Sequence, residues 1–223
     1  MYDVSLLKSI IKQKDRPLPT GTRAQSKERN RQKILDSAMV LFRERGFEAA
    51  TLRDIASGAQ LSTGALFANF GDKNEIFLTV VEAENARVIQ SMLDAYDDGL
   101  DLVNRLHTQL MRGYEGAQAN ARLIMSAFVM NWSGSHPTLN EIARLSDMVK
   151  ITILESLKTA QAREELPVSA PVESAAEILE DLCFANLRRA FHSSERPDNL
   201  DFHGLSDRLM VQLRLIVAGL KAS

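Results

Sequence analysis

Apolar residues recur along this chain at spacings of three and four. There is no sustained apolar–polar alternation and no Asn-Gly or Asp-Gly hairpin signal, so the pattern predicts helices and no strands. A first helix from about Ser26 to Arg45 places Ile34, Ala38, Leu41 and Phe42 on one face. Gly46 is suited to a left-handed stop after it, with Phe47 folding back over Phe42 as in a Schellman turn. Thr51 is an N-cap with Asp54 at the third helical position, and Leu52, Ile55 and Ala56 form the inner face of that short helix. Ser62 caps a third helix, Thr63 to about Phe70, and Asp72 caps a longer one with Glu75 three residues on. Longer helices follow over about 73–97, 100–117, 120–133, 137–163, 171–194 and 202–220. The segment 120–133 is apolar on nearly every side and is expected to be central. Helix 171–194 carries Ile178, Leu182, Ala185 and Phe191, and helix 202–220 carries Leu205, Leu209, Leu213, Ile216 and Leu220. The expected fold class is all-α.

The second and third helices are joined by Ser57 to Leu61 only, with Ser57-Gly58-Ala59 supplying the small residues a tight turn needs. This is a helix-turn-helix arrangement, in which one helix braces and the next enters the major groove of DNA. Ser62, Thr63, Gly64 and Ala65 are small enough to bring the start of the recognition helix close to a duplex, with its positive dipole end toward phosphate. Leu66 and Phe70 would pack inward. The expected division is a tail over 1–22, a helix-turn-helix domain over 23–75 and a helical body over 76–223.

The stretch Arg31-Gln-Lys-Ile-Leu-Asp-Ser-Ala-Met-Val-Leu-Phe-Arg-Glu-Arg-Gly-Phe47 resembles the first helix of the TetR family of bacterial transcription regulators. Thr51 to Phe70, followed by Gly71-Asp-Lys73 and Glu75-Ile-Phe77, is similar to that family's helix-turn-helix and the entry to its fourth helix. The resemblance implies a homodimer on an inverted-repeat operator in double-stranded DNA, working as a repressor released by a small molecule. It also implies DNA-facing positions at Thr51, Arg53, Ser62, Thr63, Gly64, Ala65, Phe67, Asn69 and Lys73, with Lys73 reaching a phosphate. The chain departs from the family pattern twice. Phe67 stands where Tyr is usual and so lacks a hydroxyl for phosphate, and Gln60 stands where Gly is common.

Charge sharpens this picture. Residues 1–80 carry thirteen Lys and Arg against nine Asp and Glu, and residues 81–223 carry fourteen against twenty, for a total of −2. A basic head on an acidic body suits an anionic partner at one end, although a basic tail can also be merely solvated. Between 51 and 75 only Arg53 and Lys73 are positive. The basic stretch 23–33, with the tail before it, is therefore expected to supply phosphate neutralisation.

The body after residue 76 is read by the resemblance as the effector-binding and dimerisation domain, with helices 171–194 and 202–220 pairing with a second copy as a four-helix bundle. Candidate ligand contacts are Met92, Tyr96, His107, Met111, Tyr114, Phe128, Trp132, Met148 and Phe184, with Cys183 beside them. Such soft and aromatic residues favour an apolar or aromatic effector. The alternative is a DNA-bound adaptor, or a regulator without an effector, whose body recruits a protein. Four scattered His residues, one Cys in an apolar run and no Gly-rich phosphate loop give no enzyme constellation, and neither a metal nor a cofactor is expected. One cysteine, no apolar run of membrane-spanning length and no signal-peptide pattern point to the cytoplasm, with no membrane contact.

Overall fold

The computed structural model describes residues 21–133, 139–192 and 201–223. Among the described residues the chain forms nine helices and no strand. They are α1 (Thr22–Ala49), α2 (Leu52–Gly58), α3 (Thr63–Phe67), α4 (Lys73–Asp94), α5 (Leu102–Gln118), α6 (Ala121–Ser133), α7 (Leu139–Ala162), α8 (Val172–His192) and α9 (Phe202–Lys221). No helix among the described residues is long and apolar enough to cross a membrane. By their contacts the residues form two units, one of the described residues up to Ala86 with Asn120–Ala143, the other of Arg87–Ala119 with Arg144–Ser223.

Local chemistry sets the helix ends where the sequence places them. Thr51 and Asp54 form a reciprocal capping box, with Asp54 N–H donating to Thr51 Oγ1 at 3.1 Å and Thr51 N–H to Asp54 Oδ2 at 3.3 Å. Ser62 Oγ accepts from Ala65 N–H at 3.1 Å, and Asp72 Oδ1 from Glu75 N–H at 2.9 Å. Gly46 departs from expectation. Its φ is 80° but its ψ is 170°, so α1 kinks there and runs on to Ala49 instead of closing in a Schellman turn. The Schellman pattern appears at the end of α2. There Leu61 N–H donates to the Ala56 carbonyl at 2.9 Å, Gln60 N–H donates to that of Ser57 at 3.0 Å, and Gln60 takes φ 58°. It recurs after α7, where Glu165 and Glu164 donate to the carbonyls of Ala160 and Gln161 and Glu164 has φ 60°.

In the first unit α1 packs on α2, α3 and α6. Its core holds Ile34, Ala38, Phe42, Phe47, Ile55, Leu66, Phe70 and Phe77. Phe47 does cover Phe42, with ring centroids 5.8 Å apart, and Phe77 closes the trio at 5.4 and 4.6 Å. Gly58 marks a close approach of α2 to α1: a Cβ there would lie 2.3 Å from Ser37 Oγ, which donates to the Ile55 carbonyl at 2.9 Å. The helix expected to be central, α6, buries Leu123 and Ala127 but leaves Val129 60% exposed. Its apolar sequence outruns the surface it has to pack against.

In the second unit α5 is tied to three neighbours. Gln109 Oε1 accepts from Ser156 Oγ of α7 at 2.9 Å, Tyr114 OH donates to the Cys183 carbonyl of α8 at 3.1 Å, and His107 Nε2 lies 3.1 Å from Ser206 Oγ of α9. Arg105 of α5 is wholly buried, donating to both carboxylate oxygens of Glu165 at 2.9 and 2.8 Å and to the Leu100 carbonyl at 2.9 Å. The inward stripe of α9 is Leu205, Leu209, Leu213, Val217 and Leu220, with Val217 in the place expected for Ile216. On α8 the residues named from the sequence are not the ones that pack within the chain. The helix buries Val172, Ala175, Ala176, Leu179, Cys183, Leu187 and Ala190, while Ile178 is 51% exposed and Leu182 and Ala185 are half-buried. The side chain of Phe191 lies outside the described residues.

Candidate nucleic-acid interface

The turn between α2 and α3 is held by main-chain hydrogen bonds, with Ala59 buried, Leu61 half-buried and Gln60 and Ser62 exposed. Thr51 is exposed at the start of α2, and its hydroxyl bonds Asp54 at 2.8 Å. That bond holds the Asp54 carboxyl below its ordinary pKa. Arg53 is exposed beside it. On α3, Ser62, Thr63, Gly64 and Phe67 are exposed and Ala65 is half-buried, while Leu66 and Phe70 anchor the helix in the core. Thr63 and Phe67 are one helical turn apart and share a face. A Cβ added at Gly64 would meet only Ser62 Oγ, at 3.8 Å, so nothing inside the fold requires glycine there. Its effect is to keep the outer surface low.

Two of the expected DNA-facing residues also bond within the fold. Lys73 Nζ donates to the carbonyls of Phe47, Glu48 and Ala50 at 2.9, 3.4 and 3.2 Å, and sits 4.2 Å from the centre of the Phe47 ring. These carbonyls lie at the end of α1 and just past it, where a helix leaves acceptors for side chains to bond. Asn69 Nδ2 donates to the Ala65 carbonyl at 2.8 Å, and its Oδ1 is buried without a hydrogen-bond partner.

Arg31 has a role that the sequence reading missed. Its guanidinium stacks on Phe70, 4.0 Å from the ring centre, and donates to the Asn69 carbonyl at 3.2 Å, so it staples α1 to the end of α3. Arg122 of α6 likewise donates to the Glu44 carbonyl on α1. Neither had a local signal, since each partner is 38 or 78 residues away. The first two turns of α1, including Arg23, Lys27 and Arg29, are exposed throughout.

The candidate ligand residues differ in burial. Met92, Tyr114 and Met148 are buried, and Tyr96, His107, Met111, Phe128 and Phe184 are half-buried. Met92 packs on α5, where a Cβ at Gly113 would lie 3.0 Å from its Cγ. Burial raises the Tyr114 hydroxyl well above its ordinary pKa and pushes the Cys183 thiol up to about 12, which leaves that thiol protonated and unreactive. Phe128 lies on α6, within the first unit; so does Trp132, whose side chain is outside the described residues. An open depression of about 400 Å³ is lined by Gln161, Glu164, Glu165, Leu166, Pro167, Val168 and Lys221, and includes none of these candidates. Among the described residues no three His, Cys, Asp or Glu side chains could hold a metal. His203 and Asp207, 3.7 Å apart, are an exposed pair.

Comparison with known proteins bears on this geometry. Residues 34–80 match the tetR family of bacterial regulatory proteins. The chain is 38% identical over 63 residues to the HTH-type transcriptional repressor AcnR of Corynebacterium efficiens, which covers 28% of this chain and 34% of that protein. It is 27% identical over 191 residues to the HTH-type transcriptional repressor BepR of Brucella suis, covering 82% of this chain and 90% of that one. Among solved structures, Salmonella enterica GusR superposes with a TM-score of 0.69 at 18% identity, over 87% of this chain and 96% of that chain, and so shares the fold.

Proposed function

We propose that this chain, whose residues 34–80 match the tetR family of bacterial regulatory proteins, is a cytoplasmic, dimeric transcriptional repressor that grips an inverted-repeat operator and lets go when a small apolar or aromatic molecule binds its helical body. The observation that carries this reading is the outer face of α3: small, exposed residues on a short helix that is rigidly capped and anchored from behind. Thr63, Gly64, Ala65 and Phe67 then lie against base edges, with Thr51, Arg53 and Ser62 toward the backbone. Asn69 and Lys73 act through the fold, holding α3 and the end of α1 in place. Arg23, Lys27 and Arg29 on the exposed start of α1 supply the phosphate contacts that α3 lacks. The names of AcnR and BepR as repressors support the direction of regulation.

The working division is a DNA-binding part over 23–75 and an effector and dimerisation part over 76–223. Ile178 on α8, together with Val211 and Leu215 at 58% and 70% exposure on α9, supports a second copy packing on these two helices. Effector binding would favour dimers whose reading heads no longer match the half-site spacing. Met92, Tyr96, His107, Met111, Tyr114, Phe128, Trp132, Met148 and Phe184 remain the candidate contacts. The test is selection of DNA fragments by the purified chain, followed by footprinting at two salt concentrations. A protected inverted repeat is expected, and binding without sequence preference would refute operator recognition. Changing Arg23 or Lys27 to Gln should each reduce the log-affinity against log-salt slope by about 0.9. An unchanged slope would remove α1 from the contact surface.

A further inference from the structure

The face that α3 turns outward is unusual in what it lacks. From Ser57 to Asp72 there is no Lys or Arg, so no side chain there can make the bidentate contact that marks guanine. Asn69, an amide two residues past the end of α3, is committed to the Ala65 carbonyl with its oxygen buried, so it is unavailable to adenine. What remains exposed on the helix is the Thr63 side chain and, one turn along the same face, the Phe67 ring, 55% exposed. The Phe67 ring stays more than half in water, whereas Phe70, three residues on and past the helix end, is only 1% exposed. Lacking a hydroxyl, the Phe67 ring has no hydrogen bond to offer a phosphate.

Resting on the DNA-binding role proposed above, we propose that Phe67, with the γ-methyl of Thr63 beside it, reads the 5-methyl groups of thymines in the major groove, so that each half-site is recognised by apolar contact to thymine. The thymine methyl is the one apolar group that a base pair presents in that groove. Gly64 keeps the helix surface low enough for the ring to reach it. The inference differs from backbone contact in a way that can be measured, because methyl recognition depends on base identity and is nearly independent of salt.

The experiment uses the full chain and the half-site obtained by selection. Each thymine of the half-site is replaced in turn by deoxyuridine, which removes only the methyl, and the dissociation constant is measured. At least one position under α3 should weaken binding about fourfold, the fold-change equivalent of exposing one methylene-sized group. Phe67→Ala should lose most of the preference for thymine over uracil, with Thr63 keeping a small remainder, whereas Phe67→Leu, which stays apolar, should retain more of it. Since the ring is exposed, both variants should melt with the parent. Unchanged affinity across the whole uracil series, or full methyl sensitivity in Phe67→Ala, would overturn the inference while leaving operator binding intact. Selected half-sites without a thymine in the protected core would also overturn it. Recovery of no preferred sequence would refute the DNA-reading role itself, and this inference with it.

Discussion

Gln60 sits at φ 58° in the turn that sets the recognition helix, a conformation that glycine adopts freely and that a residue with a Cβ adopts at a cost of about 1–2 kcal/mol. Its N–H donates to the Ser57 carbonyl at 3.0 Å, and its side chain is exposed. Gln60→Gly therefore removes strain and no packing. Against this stands the extra freedom of glycine in the unfolded chain, about 0.5–1 kcal/mol. The balance is a gain of about 0.5–1 kcal/mol, or roughly 1–4 °C in Tm for a chain of this size. Gln60→Ala is the control, because alanine keeps the Cβ and the strain. The assay is urea unfolding of parent, Gly and Ala variants with the slope held constant, so that midpoints report stability alone. Glu164 has the same geometry at the end of α7, with φ 60°, and Glu164→Gly should give a similar and additive gain. If Gln60→Gly is no more stable than Gln60→Ala, the turn carries no strain and the argument fails.

Three further outcomes are expected. Glu165→Ala leaves the buried Arg105 guanidinium without its anion and should cost about 3 kcal/mol by denaturant midpoint; a loss under about 1 kcal/mol would mean that the pair is solvated and weak. Lys73→Met keeps the aliphatic stem over Phe47 but abandons three carbonyls, so Tm should fall by an amount equivalent to about 1–2 kcal/mol. An unchanged Tm with a flatter salt dependence of DNA binding would return Lys73 to the phosphate. Burial lifts the Glu180 carboxyl from 4.5 to about 7, with Lys150 opposing and Asp147, Asp181 and Glu177 reinforcing the shift. The folded chain holds that proton more tightly than the unfolded chain, so stability should decline as pH rises from about 4.5 to about 7, by at most about 3 kcal/mol. Glu180→Gln should flatten the decline, and parallel pH profiles for parent and variant would refute the assignment.

Features that a few neighbouring residues settle between them can be read along the chain. The capping box at Thr51 and Asp54, the Ser62 cap and the helix-turn-helix spacing are legible because each partner lies within one helical turn of the other. Helix existence follows in the same way from apolar spacing. Tertiary structure decided which face of each helix turns inward and where each long side chain ends. α8 carries two apolar stripes. Periodicity favours the bulky one with Ile178 and Leu182, yet the helix buries the stripe with Ala175, Ala176, Leu179 and Cys183. A face of small residues lets neighbouring helices approach closely, and that gain depends on the neighbours, which no local pattern records. Lys73 and Arg31 make the same point for charge. Each has a flexible stem that can reach solvent or a carbonyl, and the partners that settle the choice lie 23 to 38 residues away along the chain. Only the fold brings those partners within 3.2 Å.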